Sequence, residues 1–401
     1  MDAGEGGGEE EEEEEEKEDL RIRETDAVVV AVRSDEDASH LEVYVYEDDD
    51  VEPNLYVHHD VVLPTFPLCL AWTGARPLSP GGGDGRGNFC ATGTFLPAID
   101  IWDVDDLESL EPVLTLGGLD LSSKKAQKRA AQGATDLPLL DGSHSAAVMS
   151  LSWNPVDIEY LASGSADTTV KCWDAETGAC VQTLRHHADK VQSVAWHPSE
   201  RGRLLTAGFD KVARVADARS ADCAFEAPLG ADVEVCQWRP GRDNEFVASL
   251  ENGKVVAFDT RAGGSVPLWS IAAHKEAVSG LSLCSAVPDF MATGSTTKNL
   301  KLWDLATPTP TVLHEENAKA GAIFGLAFCN DGQSSPFLLA AVGSDGNLSI
   351  LDTALLSESL RHRYHSVAPA HVEAAQRRVD SLAGMPDNAG EDNDAESNDS
   401  G

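Results

Sequence analysis

Basic charge is what this sequence has least of. Thirty Lys and Arg stand against 68 Asp and Glu, a net charge of −38 at pH 7 over 401 residues. A body this acidic repels nucleic-acid phosphate over most of its surface and suits basic proteins as partners. Part of the excess sits at the ends. Residues 1–26 carry fourteen acids and three bases, and residues 385–401 carry six acids and no base, which leaves −21 on the rest. Paired cysteines are lacking too. None of the eight cysteines has C-x-x-C spacing, and several fall on apolar strand positions, so the expectation is reduced thiols in a reducing compartment, without a disulfide framework or zinc site. No apolar run reaches the roughly 18 residues of a membrane span. The N-terminus is a glutamate run, where a secretory leader needs a basic segment and an apolar core. Neither a membrane nor a secretory route is expected.

What the sequence does have is a period. Val148 to Trp153 reads as a short strand after His144, Leu161 to Ser163 as a second, and Val170 to Trp173 as a third, with Gly164 and Asp167 turning the chain. The residues closing successive first strands are Trp153, Trp196, Trp238, Leu283 and Phe328, at gaps of 43, 42, 45 and 45. The residues before each closing Asp are Trp173, Ala216, Phe258, Trp303 and Leu351. Four of these five stand 20 after their partner, and the last stands 23 after. A fixed period of about 40–45 residues with three to four short strands is the signature of a β-propeller. The His, the turn Asp and the Trp-Asp ending resemble a WD40 repeat. That resemblance implies a buried hydrogen-bonded tetrad of His144, Ser163, Asp167 and Trp173. Its equivalents are His187, Thr206 and Asp210 in the next repeat, and His274, Thr293 and Trp303 two repeats later. The length suits seven blades plus tails.

The expected organisation is an acidic disordered tail over 1–26, a propeller over 27–366, and a short helix with an acidic disordered tail over 367–401. Within the propeller, 27–33 and 41–46 read as strands and Asn54 to Val62 as an outer strand, but no first strand is visible for this blade. Six complete four-stranded blades are expected besides it. Residues 356–364 are expected to form an outer strand and 370–383 a helix. Residues 80–88 read as a glycine-rich loop inside the second blade. An insertion at about 118–140 carries Lys124, Lys125, Lys128 and Arg129, the most basic segment of the chain.

Little here points to chemistry. His144 with Asp167 could be written as a general-base dyad, but the pair recurs at the repeat period and the tetrad already explains it. The glycines at 81–87 do not open a helix after a strand, so they are a loop and no phosphate cradle. His58 and His59 are adjacent on an expected strand and would point to opposite faces, which makes them poor joint metal ligands. No catalytic residue, cofactor or metal is expected.

One block is more specific than the repeat. Asn54-Leu55-Tyr56-Val57-His58-His59-Asp60, Leu63-Pro64, Ile99-Asp100-Ile101-Trp102-Asp103 and Thr115-Leu116-Gly117 resemble the periodic tryptophan protein 1 family, over roughly residues 27 to 360. That family places a lysine-rich insert next, where Lys124-Lys125 stand, and then a Gly-x-His repeat, where Gly142-Ser143-His144 stand. The resemblance implies a nuclear and nucleolar protein linked to chromatin, ribosomal-RNA transcription and ribosome assembly, without enzyme activity. It also implies a short apolar strand before the acidic run. This chain opens on the acidic run, so the first strand of one blade is expected to be missing.

The resulting expectation is an all-β, seven-bladed WD40 propeller, monomeric within larger complexes, acting as a binding platform in ribosome biogenesis. Basic partners such as ribosome-assembly factors, ribosomal proteins or histones are expected. Nucleic acid would be met only indirectly or through the basic insertion. Lys190, Phe209 and Lys211 mark the candidate partner face, and Lys124, Lys125, Lys128 and Arg129 the candidate nuclear-targeting segment. The rival readings are a histone-tail or chromatin reader regulating transcription, which needs an aromatic cage, and a cytoplasmic signalling or ubiquitin-ligase scaffold.

Overall fold

The structure, a computed structural model, describes residues 22–23, 26–35, 38–48, 53–75, 86–107, 110–132, 134, 137–263, 266–287, 289–329 and 336–383. The acidic tails and residues 80–85 of the glycine-rich loop lie outside the described residues.

Short strands alternate with turns throughout, and each sheet is antiparallel and follows chain order. The first blade is β1 (Ala27–Ser34), β2 (Ser39–Glu47) and β3 (Asn54–Leu63). The second is β4 (Pro67–Ala75), β5 (Arg86–Thr94), β6 (Ala98–Asp103) and β7 (Leu114–Gly117). Helix α1 (Lys124–Ala130) precedes the third blade, β8 (Val148–Trp153), β9 (Tyr160–Ser165), β10 (Val170–Asp174) and β11 (Ala179–Leu184). The fourth is β12 (Val191–Trp196), β13 (Arg203–Gly208), β14 (Val212–Asp217) and β15 (Asp222–Pro228). The fifth is β16 (Val233–Trp238), β17 (Glu245–Leu250), β18 (Lys254–Asp259) and β19 (Trp269–Ala272). The sixth is β20 (Gly280–Leu283), β21 (Phe290–Gly294), β22 (Asn299–Asp304) and β23 (Thr311–Asn317). The seventh is β24 (Ile323–Phe328), β25 (Leu338–Gly343) and β26 (Leu348–Asp352). Helices α2 (Thr353–Leu356), α3 (Glu358–Tyr364) and α4 (Pro369–Ala383) follow.

The middle strands are covered on both faces by neighbouring blades, so they read as near-continuous apolar runs. Leu161 and Ala162 of β9 are fully buried, as are Val247 and Ala248 of β17. The inner strands repeat a six-residue pattern: apolar, two variable, apolar, then Ala, Ser or Gln, then Trp, Leu or Phe. Pro67 to Trp72, Val148 to Trp153, Val191 to Trp196, Val233 to Trp238, Val278 to Leu283 and Ile323 to Phe328 all obey it. The pattern stitches each blade to the next. The Trp153 indole N–H donates to the Ala71 carbonyl at 3.0 Å, and that of Trp238 to Ala195 at 3.1 Å. In the other direction, Ser152 Oγ accepts from the Trp196 N–H at 3.2 Å, Gln237 Oε1 from Leu283 at 3.0 Å and Ser282 Oγ from Phe328 at 3.0 Å. Blades approach so closely that a Cβ on Gly164 would stand 2.8 Å from Val191, and one on Gly294 2.5 Å from Ile323.

Two expectations need correction. Among the described residues the complete four-stranded blades are five, the second to the sixth, because the seventh has three strands. Residues 356–364, expected as its outer strand, lie in helices. The reason is local. Asp352 Oδ1 caps the turn by accepting the Ala354 N–H at 2.9 Å. Ser357 is extended and separates α2 from α3, on which Leu360 and Tyr364 fall four residues apart, on one face. Tyr364 packs against Phe290 and Phe337, with ring centroids 5.1 and 6.2 Å away. Arg363 Nε donates to Asp304 Oδ2 at 2.7 Å. The helix expected over 370–383 is α4, and it reaches back across the ring: Arg378 pairs with Asp48, after β2, at 2.7 Å. Among the described residues the first blade has three strands, and none of them pairs with the free side of β1, in line with the expectation of no visible first strand.

If α2 to α4 are integral to the seventh blade, removing the Tyr364 ring is a core truncation. Tyr364→Ala should cost about 3–5 kcal/mol, the range for a buried large aromatic. A urea titration showing less than about 1 kcal/mol would mean that the helices are appended and contribute little.

Candidate interaction surface

The polar residues singled out in the repeats come together inside the blades. In the third blade, Trp173 Nε1 lies 2.8 Å from Ser163 Oγ, Ser163 Oγ 2.7 Å from His144 Nε2, and His144 Nδ1 2.9 Å from Asp167 Oδ2. An indole N–H can only donate. Ser163 Oγ therefore accepts from Trp173. The Asp167 carboxylate can only accept, so the neutral ring carries its proton on Nδ1 and Nε2 accepts from the Ser163 hydroxyl. Burial lowers the His144 pKa despite the Asp167 charge beside it. Burial works against the charge on Asp167, but His144, the Thr169 hydroxyl and the Ser145 N–H outweigh it and hold the carboxyl well below its usual range.

The other tetrads are partial. In the fourth blade His187 meets Thr206 at 2.9 Å and Asp210 at 3.0 Å. Ala216 stands where the indole would be, and Arg214 Nη1 donates to Asp210 Oδ2 at 2.6 Å instead. In the sixth, His274 and Trp303 both reach Thr293 Oγ1, each at 2.9 Å. Thr297 replaces the Asp, and burial followed by the Lys301 charge brings the His274 pKa down to about 4. A third hydroxyl–indole pair was not singled out from sequence: Trp102 Nε1 donates to Thr92 Oγ1 at 3.1 Å. The signal was available, since Ser163–Trp173, Thr293–Trp303 and Thr92–Trp102 are each ten residues apart.

These groups are sealed within blades, so the surface has to be sought elsewhere. In an antiparallel blade, the link from one blade to the next and the link from second to third strand share one end. Lys190, Phe209 and Lys211 sit on two such links. Lys190 and Lys211 are exposed, whereas Phe209 is half-buried under the Lys190 ammonium, 5.8 Å from its ring centroid. Lys211 Nζ lies 3.7 Å from Asp232. Its left-handed backbone recurs at Thr168 and Lys298 and so belongs to the turn.

The same end carries two further features. Phe66 and Phe95 lie on the links flanking β4 and joining β5 to β6, with centroids 5.9 Å apart, and both are exposed beside Leu96. Sequence reading missed them because they are 29 residues apart and only the blade joins them. The basic insertion is also at this end. Ser123 caps α1 by accepting the Ala126 N–H, Ala126 is buried, and Lys124, Lys125 and Lys128 are exposed, with Arg129 half-buried.

His58 and His59 require another correction. A bulge opposite Val43 and Tyr44 turns both rings to one side, with their Nδ1 atoms 2.8 Å apart. The bulge breaks the alternation on which opposite faces depended. Among the described residues there is no group of three or more His, Cys, Asp or Glu that could hold a metal.

Comparison with known proteins follows this geometry. The WD domain, G-beta repeat model matches residues 265–304, and the anaphase-promoting complex subunit 4 WD40 domain model matches 135–199. An uncharacterized WD repeat-containing protein of Schizosaccharomyces pombe is 36% identical over 90% of this chain and 67% of its own length. Periodic tryptophan protein 1 homolog of Drosophila melanogaster is 30% identical over 80% of this chain and 66% of its own. Periodic tryptophan protein 1 of Saccharomyces cerevisiae is 31% identical over 78% and 61%. The chain belongs to the periodic tryptophan protein 1 family. It spans 61 to 67% of the length of these family members. A chain of the mitotic checkpoint complex crystal structure matches with a TM-score of 0.57 at 20% identity, covering 81% of this chain and 83% of that one, and shares the propeller fold with this family member.

The shifted histidines give a pH dependence of stability. His144 and His274 are neutral in the folded chain, whereas an unfolded imidazole takes up a proton below about 6.5. Their contribution is complete above that value and is lost as pH falls toward about 4, the folded value for His274. Melting temperature should fall across this window, and His274→Gln should flatten part of the slope. Parallel melts from pH 7.5 to 4 that stay superimposed in shape would show that His274 titrates as it does in the unfolded chain.

Proposed function

We propose that this chain is a non-enzymatic protein-interaction platform acting in ribosome biogenesis in the nucleus and nucleolus. Membership of the periodic tryptophan protein 1 family is the observation that carries the reading. It is supported by similarity to the ribosome biogenesis protein WDR12 homolog of Ixodes scapularis, 25% identical over 53% of this chain and 50% of that protein. A platform without catalysis fits the chemistry, because the His–Asp pairs are consumed in holding blades together. The working face is the end that gathers Lys190, Phe209 and Lys211, the Phe66–Phe95 pair and the lysines of α1. Its partners are basic proteins of ribosome assembly, ribosomal proteins or histones, drawn by the charge of −38. Contact with RNA is confined to the basic insertion or is made through those partners.

Affinity purification from cells, with and without nuclease, tests the reading. Ribosome-assembly proteins that persist after nuclease support it, and a set of cytoplasmic ligase or kinase components removes it.

Lys124, Lys125, Lys128 and Arg129 carry the targeting proposal. A fluorescent fusion with all four changed to Ala should lose its nucleolar signal and shift toward the cytoplasm. An unchanged pattern would assign the targeting to a resident partner.

A further inference from the structure

The sixth blade keeps the histidine of its tetrad and replaces the aspartate. His144 and His187 each face the carboxylate of a turn residue, Asp167 and Asp210. That carboxylate also accepts the N–H of the residue after the histidine, from Ser145 at 2.9 Å and from Ala188 at 3.2 Å. In the sixth blade the turn residue is Thr297. The turn itself is unchanged, because Lys298 after it has the same left-handed backbone as Thr168 and Lys211. The Thr297 hydroxyl donates to Ser295 Oγ at 3.2 Å and makes no bond to the ring. Among the described residues His274 Nδ1 and the Lys275 N–H have no hydrogen-bond partner, although their counterparts in the third and fourth blades share a carboxylate.

The surrounding groups suit an anion. Arg214, two residues before Ala216, donates to Asp210 at 2.6 Å and to Glu226 at 2.9 Å. Lys301, two residues before Trp303, holds the same place in the sixth blade, opposite Glu315 as Arg214 is opposite Glu226. It pairs with Glu315 at 3.3 Å, but the turn offers it no second carboxylate. Its charge reaches the ring: burial first, and then Lys301, bring the His274 pKa down to about 4, with Glu315 acting the other way. Lys275 on the link and Lys298 on the turn are exposed. Glu276, on the same link, is exposed and accepts from Thr296 Oγ1 at 3.4 Å. The position is open from outside, since His274 is half-buried whereas His144 and His187 are buried.

We infer that this position binds a carboxylate from a partner polypeptide, the side chain of an Asp or Glu presented at this end of the ring. The third and fourth blades show that the same link and turn accommodate a carboxylate and supply it with several donors. The partner's carboxylate accepts from His274 Nδ1 and from the Lys275 N–H and lies beside the Lys301 ammonium. It holds the ring proton on Nδ1, as Asp167 does for His144. Hydrogen bonds to an ionised group are about twice as strong as neutral ones. The position is also a local reversal of sign. On a chain of net charge −38, an acidic side chain is repelled over most of the surface and attracted here, which fixes where it docks more than how tightly. The inference goes beyond the role in ribosome biogenesis and does not depend on it.

The test uses the full chain with isotopically labelled histidine rings, read by NMR, with the His274 signals assigned by their loss in His274→Gln. A Gly-Asp-Gly peptide with blocked ends is titrated at neutral pH and constant ionic strength, and Gly-Asn-Gly serves as the control. The Asp peptide should move the His274 Nδ1 resonance toward its protonated position and leave His144 and His187 in place. The Asn peptide should move none of the three. Thr297→Asp, which supplies the carboxylate from within, should melt no lower than the parent and respond at least tenfold more weakly. Lys301→Gln should also respond at least tenfold more weakly. Equal responses to the two peptides, or shifts at His144 and His187 as large as at His274, overturn the proposal. So does a Thr297→Asp chain that melts below the parent, because the link and turn would then reject a carboxylate. So does a response to inorganic phosphate at least tenfold stronger than to the Asp peptide, which would give the position to a phosphoryl group. So does a response that appears only in Glu276→Gln, which would give it to the chain's own acid.

Discussion

Each sheet of this ring has two apolar faces, and only the neighbouring blades can cover them. Everything else in the structure answers to that condition. It keeps the inner-strand pattern constant from Pro67 to Phe328, it sets glycine at 164 and 294 where two blades nearly touch, and it places a Ser or Gln where the next backbone needs an acceptor. A buried donor without a partner costs about 1–3 kcal/mol, so the stitching is as demanding as the packing. The tetrads are less uniform. One blade has all four members, two have three, and the fourth blade recruits Arg214 on the Asp side where the Trp is gone.

The ring and its period were legible because they rest on residues at fixed sequence offsets. Trp173, Ser163, His144 and Asp167 were found together for that reason, and the absence of a strand pattern before Ala27 matches the three strands of the first blade among the described residues. What was not legible depended on geometry between distant or irregular positions. Leu360 and Tyr364 alone make too short a stripe to outweigh the expectation of a repeat. The bulge at His58 has no local sequence mark, so strict alternation gave the wrong faces. Phe66 and Phe95 become neighbours only when β4 and β5 pair. Phe209 is apolar and next to a lysine on the same end, and it is half-buried because that lysine covers it.

The candidate surface follows from the same architecture. Strand order fixes which links share an end, and those links are free to vary because the blades do not need them. That is why an insertion of basic residues can sit between β7 and β8 without disturbing either sheet, tied at its base by a bridge between Leu119 and Leu139. Polar groups within blades are spent on cohesion, and Phe66, Phe95, Leu96 and Lys190 are exposed together at one end.

The α4 contact between Arg378 and Asp48 has a consequence for synthesis. The two partners are 330 positions apart, so one emerges from the ribosome long before the other exists. At about 5–20 residues per second, the first blade waits on the order of tens of seconds with one flank uncovered. During that interval the nascent chain presents β1 and its apolar neighbours to whatever meets it first, a chaperone or a stray strand. The acidic stretch that precedes β1 is made before it, and its mutual repulsion between chains on one polysome acts while the flank is bare.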